Sequence, residues 1–245
     1  MNEKEKPVRL DRVLSERGYA TRRAMKEIFS KRRPADAPEI LVAGVPATDN
    51  EQKVLPSQVT WDGEPLDPAV YYIMLHKPAG LTCSHDEREG ELVYDLLPER
   101  WMLRNPAPAC VGRLDKDTTG LILITDDGQA LHRWTSPRHK VPKTYEVTIA
   151  HPLHESEVDL LRAGGLMLEK EDRPLLASEV EVISPNFIHL TLYEGRYHQI
   201  KRTMLALDNK VTKLHRSSFG PLTLGDLQPG EYRHLTVEEI AQLLP

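Results

Sequence analysis

The sequence predicts an α+β fold: a large C-terminal domain on a mixed, mainly antiparallel sheet, preceded by a small N-terminal α/β module. Three observations carry this. Helical and strand-like segments are mixed without the regular alternation of a doubly wound sheet. The first sixty-odd residues read as two short helices followed by two strands. A proline-rich break at Glu64-Pro65-Leu66-Asp67-Pro68 then separates the two parts, so the expected domains are residues 8–67 and 68–245.

In the first part, Leu10, Val13 and Leu14 have helical spacing and Gly18 ends the pattern. Thr21 is a good N-cap for a second helix through Ser30, with Ala24, Met25, Ile28 and Phe29 apolar and Arg22, Arg23 and Lys26 on the exposed face. A basic, capped helix start suits phosphate contacts. Residues 31–38 contain Pro34 and Pro38, which exclude a continuing helix and read as an insertion. Ile40–Val45 and Gln58–Gly63 are the two candidate strands. In the second part, Tyr71–Leu75 reads as a strand stopped by His76-Lys77-Pro78-Ala79-Gly80. Further strands are expected at 121–125, 143–149, 179–183, 188–193 and 211–214, and helices at 129–135, 154–163, 198–207 and 237–244. The last helix follows Thr236 with Glu239 three residues on, a capping box.

Composition narrows the class. Hydrophobic residues at 40% and charged residues at 28% fit a soluble globular protein. No apolar run approaches a membrane span, the first seven residues carry no signal segment, and the expected location is the cytoplasm. The two cysteines, Cys83 and Cys110, have no CxxC or His spacing, which argues against a zinc site and a disulfide scaffold. His132, His139 and His198 lack ligand spacing as well, so no metal is expected. Gly164-Gly165 lacks the Lys-Ser/Thr of a phosphate loop. The net charge of −5 conceals local basic patches. Residues 1–33 hold eleven Lys/Arg against five acids; 128–145 hold four and no acid; 195–216 hold six against Asp208 alone. Local patches set attraction to phosphates, and they make a nucleic acid the leading partner.

The most informative segment is Gly112-Arg113-Leu114-Asp115-Lys116-Asp117-Thr118-Thr119-Gly120, which leads into Leu121-Ile122-Leu123-Ile124. Taken alone it is a polar turn before a buried strand. It resembles the catalytic signature of RNA pseudouridine synthases, and three companions occur in the family's order. Tyr72 to Gly80 resembles the first motif, a strand ending in Lys-Pro-x-Gly. Lys143-Thr144-Tyr145 resembles the motif that supplies an active-site tyrosine. Glu194-Gly195-Arg196-Tyr197-His198-Gln199-Ile200-Lys201-Arg202 resembles the third motif. The N-terminal part resembles the S-four RNA-binding domain, and with Thr135-Ser136-Pro137-Arg138-His139 it narrows the likeness to the RsuA subfamily, which modifies ribosomal RNA.

The resemblance implies that Asp115 is the nucleophile, or the base that starts elimination to a glycal, in converting uridine to pseudouridine. No group is gained or lost, so neither cofactor nor metal is needed. It further implies that Tyr145 stacks on a flipped-out uracil, Ile200 closes the apolar side and Arg113 fills the place the base left. Either role of Asp115 requires it ionised, and Lys201 is the expected cation beside it. Asp117 is then expected to shape the loop; a glycosidase with paired carboxylates needs two acids across a substrate. The residues expected to face RNA are Arg9, Arg12, Thr21, Arg22, Arg23, Lys26, Arg138, Lys140, Arg196, His198 and Arg202. The expected substrate is small-subunit ribosomal RNA within an assembly intermediate, bound by a monomer. The alternatives are a relative acting on large-subunit RNA and a non-catalytic assembly protein.

Overall fold

The computed structural model describes residues 5–243. The chain divides into two compact units, Met1–Tyr71 with Pro98–Pro108, and Tyr72–Leu97 with Ala109–Pro245. The sequence reading places one cut between residues 67 and 68; the structure gives the first unit an additional segment from further along the chain.

The first unit contains β1 (Val8–Arg9), α1 (Leu10–Glu16), α2 (Arg22–Ile28), β2 (Ile40–Val42), β3 (Val45–Pro46), β4 (Lys53–Val54), β5 (Val59–Trp61) and β6 (Glu64–Pro65). Leu10, Val13 and Leu14 point into a core with Met25, Ile40, Val54 and Val59. The Thr21 hydroxyl accepts from the Ala24 amide at 3.1 Å and starts α2, which leaves Arg22, Arg23 and Lys26 exposed. Strands run β3-β2-β5-β6 in one sheet, while β1 pairs with β4. Residues 31–38 form turns. Pro98–Pro108 belongs here for polar as well as apolar reasons. Arg104, only 4% exposed, donates to the Ala69 carbonyl at 2.6 Å, and Arg100 pairs with Asp67 at 2.5 Å. Gly18 permits the approach: a Cβ there would lie 2.6 Å from the Arg100 carbonyl oxygen, and its φ is +75°.

The second unit contains β7 (Tyr72–Lys77), β8 (Ala109–Cys110), β9 (Thr119–Thr125), α3 (Gly128–Thr135), β10 (Lys143–Ile149), α4 (Glu155–Ala163), β11 (Glu179–Ser184), β12 (Phe187–Leu192), α5 (Gln199–Ala206), β13 (Val211–Phe219), β14 (Leu222–Thr223), β15 (Tyr232–His234) and α6 (Val237–Leu243). Among the described residues these strands form a nine-stranded sheet of order β11-β12-β10-β13-β9-β7-β15, with β8 beside β9 and β14 beside β13. Every pairing is antiparallel except β13 with β9. The mixed, mainly antiparallel α+β sheet of the sequence reading is therefore observed.

Leu121, Ile122, Leu123 and Ile124 are all fully buried, so β9 is covered on both faces; at about 1.5–3 kcal/mol per side chain this run contributes roughly 6–12 kcal/mol of burial. Asp127 caps α3, accepting from the Gln129 and Ala130 amides at 2.8 and 3.1 Å and from the Tyr72 hydroxyl at 2.5 Å. The predicted capping box of α6 is present, Thr236 and Glu239 exchanging backbone hydrogen bonds; Leu244 lies outside the described residues. Four strands, β7, β9, β11 and β13, are longer than expected. β7 continues through His76 and Lys77, and β13 continues to Phe219, because the polar side chains that suggested strand ends find partners inside the fold. β8, β14 and β15 are two or three residues long, too short to show a period.

Candidate active site

The loop between β8 and β9 is held from below. Lys77 is fully buried, and its ammonium donates to the carbonyls of Thr118 at 2.8 Å, Pro78 at 3.1 Å and Lys116 at 3.2 Å. Burial pulls its pKa down. The Gly80 amide also donates to the Lys116 carbonyl, and the Thr118 amide donates to that of Asp115. The loop is thus shaped by Lys77, a role the sequence reading gave to Asp117. Gly120 closes the loop onto the sheet at φ +112°; a Cβ there would lie 2.3 Å from the Arg216 carbonyl oxygen.

The Asp115 side chain, 24% exposed, meets two residues at the start of α5. Lys201 Nζ lies 2.8 Å from Oδ2 and His198 Nε2 lies 3.3 Å from Oδ1. Lys201 Nζ is also 2.6 Å from Oδ1 of Asp117, whose side chain is 72% exposed. That hydrogen bond holds the Asp117 carboxyl below the usual range. For Lys201, burial lowers the pKa, but the two carboxylates outweigh it and the net shift is upward. His198 adopts the left-handed conformation, φ 46° and ψ 34°, and its ring stacks on Tyr197 at 3.8 Å between centroids. The sequence reading assigns His198 to RNA; the structure turns it onto Asp115.

A polar network fixes the chain into α5. Gln199 is buried and joins the Glu194 carboxylate to the Arg196 amide. Arg196 pairs with Glu194 at 3.0 Å and Glu171 at 3.3 Å, and donates to the carbonyls of Arg173 and Pro174. Arg202 pairs with Glu171 at 2.7 Å and donates to the Glu169 carbonyl. The expectation that Arg196 and Arg202 face RNA is corrected: their guanidiniums are engaged within the protein, where they pin residues 169–174 and orient Ile200 and Lys201.

These elements line a cavity of about 520 Å³ that includes Asp115, Tyr145, Ile200, Lys201, Lys143 and Arg216. Ile200 is 4% exposed and supplies an apolar wall. Tyr145 on β10 stands directly across from Arg216 on β13. Arg113 lines the same cavity, is 70% exposed, and reaches Glu89 only at 3.5 Å, a contact that holds it weakly. Arg216, Lys143 and Lys77 are the residues of this site that sequence reasoning did not single out. Lys143 and Lys77 stand within quoted motifs, whereas Arg216 joins the cavity only through strand register. Cys83 and Cys110 are both free thiols.

The remaining expected RNA contacts divide by exposure. Arg138 and Lys140 are exposed on the segment after α3. In the first unit, Arg9 pairs with Asp11 and Glu51 at 2.8 and 2.9 Å, Arg12 pairs with Glu16 at 2.7 Å, and Arg23 pairs with Glu27 at 3.3 Å, all at exposed positions. Thr21 is occupied as the cap of α2. No helix among the described residues is long and apolar enough to cross a membrane.

Comparison with known proteins agrees with this geometry. A family model described as RNA pseudouridylate synthase matches residues 71–206. A Yersinia pestis protein named ribosomal small subunit pseudouridine synthase A is 42% identical over 240 residues, covering 96% of this chain and 98% of the relative. The protein of the same name from Escherichia coli K12 is 41% identical, covering 97% and 100%. A crystal structure described as a pseudouridylate synthase superposes with a TM-score of 0.66 at 33% identity, over 96% of this chain and 99% of the other. The shared fold spans nearly the whole chain, and the matched family segment contains Asp115, Tyr145, Ile200 and Lys201. The chain belongs to the RNA pseudouridylate synthase family.

Proposed function

We propose that this enzyme converts one uridine of small-subunit ribosomal RNA to pseudouridine, acting as a cytoplasmic monomer on an assembly intermediate. The single observation that carries the reading is Asp115: a carboxylate at a cavity wall, aimed by Lys201 at 2.8 Å and His198 at 3.3 Å, with Tyr145 and Ile200 around the same space. The names borne by the full-length relatives support the choice of substrate.

In this reading the target base leaves the RNA stack at a cost of a few kcal/mol and enters the cavity. Tyr145 stacks on it and Ile200 closes the apolar side, while Arg113, tethered only loosely to Glu89, takes the place the base vacated. Asp115 attacks C1′, or removes the C2′ proton, and the N1–C1′ bond breaks with its electron pair passing to the uracil. The ring turns and C5 bonds to C1′ as the Asp115–C1′ bond breaks (or, on the elimination route, as Asp115 returns the proton to C2′), and the C5 proton is lost while N1 regains one. Atoms and electrons balance without a co-reactant. The first unit binds neighbouring RNA as an S-four module through the exposed Arg22, Arg23 and Lys26 face, and Arg9, Arg12, Arg138 and Lys140 add exposed charge.

Asp115→Asn is the test. Isomerisation, followed as pseudouridine formed in a small-subunit RNA transcript, is abolished while RNA affinity stays within about threefold. Turnover near wild type would remove Asp115 from the chemistry.

A further inference from the structure

Arg216 is an unusual residue for the middle of a sheet. It is 2% exposed, lies on β13 between β10 and β9, and lines the cavity that holds Asp115. Its Nε donates to the Leu121 carbonyl at 2.7 Å, which fixes the guanidinium plane. Its Nη2 is buried with no hydrogen-bond partner among the described residues. Among the described residues no carboxylate pairs with it, whereas Arg196, Arg202 and Lys201 each have one. A buried guanidinium is costly unless it is paired, and buried donors in native proteins are almost always satisfied.

A second cation aggravates the problem. Lys143 lines the same cavity, and its ammonium donates to the Val141 carbonyl at 2.8 Å. Both cations flank Phe219, Lys143 Nζ at 5.3 Å and Arg216 Cζ at 5.5 Å from the ring centroid. Burial, with the charge of Arg216 adding to it, pushes the Lys143 pKa down to about 8, so the two groups carry like charge at neutral pH. Cys83 and Cys110 also lie close enough to feel Arg216: their mutual hydrogen bond, with Lys77 and Arg216 adding to it, pulls the Cys83 thiol down, while the same hydrogen bond and burial push Cys110 up. Such an arrangement is built for an anion or a strong acceptor supplied from outside the chain.

Register says which one. Tyr145 and Arg216 are directly opposed on neighbouring strands, so they project from the same face. A base lying against Tyr145 is therefore on the face from which Arg216 projects. Resting on the uridine-isomerising reading above, we propose that Arg216 is a further catalytic residue, assisted by Lys143: its Nη2 hydrogen-bonds a ring carbonyl of the flipped uracil and stabilises the negative charge the ring acquires. The charge balance is explicit. When the N1–C1′ bond breaks, the electron pair goes to N1 and spreads onto the ring carbonyl oxygens; when C5 bonds to C1′ and loses its proton, that charge is neutralised at N1. The interaction is therefore stronger in the transition state than in the bound substrate, the condition for accelerating the step.

The test compares wild type, Arg216→Gln and Lys143→Gln in single-turnover reactions on RNA carrying uridine or 5-fluorouridine at the target, following loss of the N-glycoside. 5-Fluorouracil is the more acidic base and needs less help in leaving. Arg216→Gln is expected to slow the uridine reaction by about 10²–10³-fold, as for loss of one preorganised donor. The defect should shrink at least tenfold on the fluorinated substrate, with RNA affinity within threefold. Lys143→Gln, whose only described side-chain hydrogen bond is to Val141, shows the same pattern at smaller amplitude. It decides the matter if Arg216→Gln does not fold. A rate within threefold of wild type, or an equal defect on both substrates, overturns the proposal. If wild type converts no uridine, the functional reading itself fails; if wild type is active and Asp115→Asn is dead, only the role of Arg216 is at issue.

Discussion

Lys201 has two anionic partners, and magnitudes decide which one matters. The shorter contact is to Asp117, 2.6 Å against 2.8 Å for Asp115. Distance alone would rank Asp117 first. Exposure reverses the order: the Asp117 side chain is 72% exposed and that of Asp115 only 24%. An ion pair at about 4 Å is worth about 1 kcal/mol in water and about 4 kcal/mol at the screening typical near a protein surface. Exposed pairs measure about 0–1 kcal/mol. The Lys201–Asp115 contact therefore lies near 2–3 kcal/mol, and the Lys201–Asp117 contact at or below about 1 kcal/mol.

Replacing Lys201 with Met leaves two carboxylates two residues apart with no cation between them. The competent arrangement needs Asp115 ionised and aimed at the cavity, so the lost pairing energy sets a ceiling of about 30- to 150-fold on the fall in rate. Asp117→Asn alone stays within about fivefold of wild type. In the Lys201→Met background the same change removes a like charge and restores about two- to fivefold. The assay is single-turnover conversion of an RNA transcript by the four proteins at saturating enzyme. The reasoning is refuted if Lys201→Met falls by less than threefold, or if Asp117→Asn costs as much as Lys201→Met.

Two further outcomes follow from the fold. Asp127→Ala removes the N-cap of α3, worth about 0.5–2 kcal/mol, and strips the Tyr72 hydroxyl of its acceptor, worth about 1–3 kcal/mol, so urea denaturation should show a loss of about 2–4 kcal/mol. Burial alone would raise the Asp127 pKa, but the Tyr72 hydroxyl and the Ala130 and Gln129 amides carry it below the usual range. The part of its contribution that depends on ionisation is therefore full above the unfolded value, about 3.9, and fades as pH falls through the lower folded value, where the gap between wild type and variant should narrow. A loss below 0.5 kcal/mol at neutral pH (roughly a tenth of a typical stability) would contradict this. Arg22→Glu with Arg23→Glu should weaken RNA binding and flatten its salt dependence by about 0.7–0.9 in log–log slope per lost phosphate contact. An unchanged slope in fluorescence titrations would take this face out of the RNA interface.

What the sequence could and could not disclose follows from how far each interaction reaches. Thr21, Asp127 and the Thr236–Glu239 box act within a few residues, and Thr21 and the box are legible as caps in the sequence. Asp115 and Lys201 stood in motifs whose order pointed to one pocket. Arg196 and Arg202 were misread because their neutralising partner, Glu171, lies 25 and 31 residues upstream, outside any local charge count. Lys77 read as a strand stop because the carbonyls that receive its ammonium, those of Lys116 and Thr118, belong to a loop 39 and 41 residues away. In the sequence Arg216 is one of the six bases of the 195–216 patch; only the register of β10 against β13 brings it across from Tyr145.

The sharing of Lys201 between two carboxylates has a consequence for the reaction coordinate. If Asp115 attacks C1′, its negative charge disappears as the bond forms, so a cation dedicated to Asp115 would stabilise the starting state more than the transition state and slow the step. Asp117 offsets this penalty only by about 1 kcal/mol or less, the worth of its exposed contact with Lys201. In the proposed reading the charge reappears on the uracil, and the further proposal sets Arg216 and Lys143 beside it, two cations with no carboxylate of their own among the described residues. One cation is thus buffered at the origin of the charge and two are left uncompensated at its destination. That asymmetry is what a cavity needs in order to favour movement of an electron pair from Asp115 toward the base.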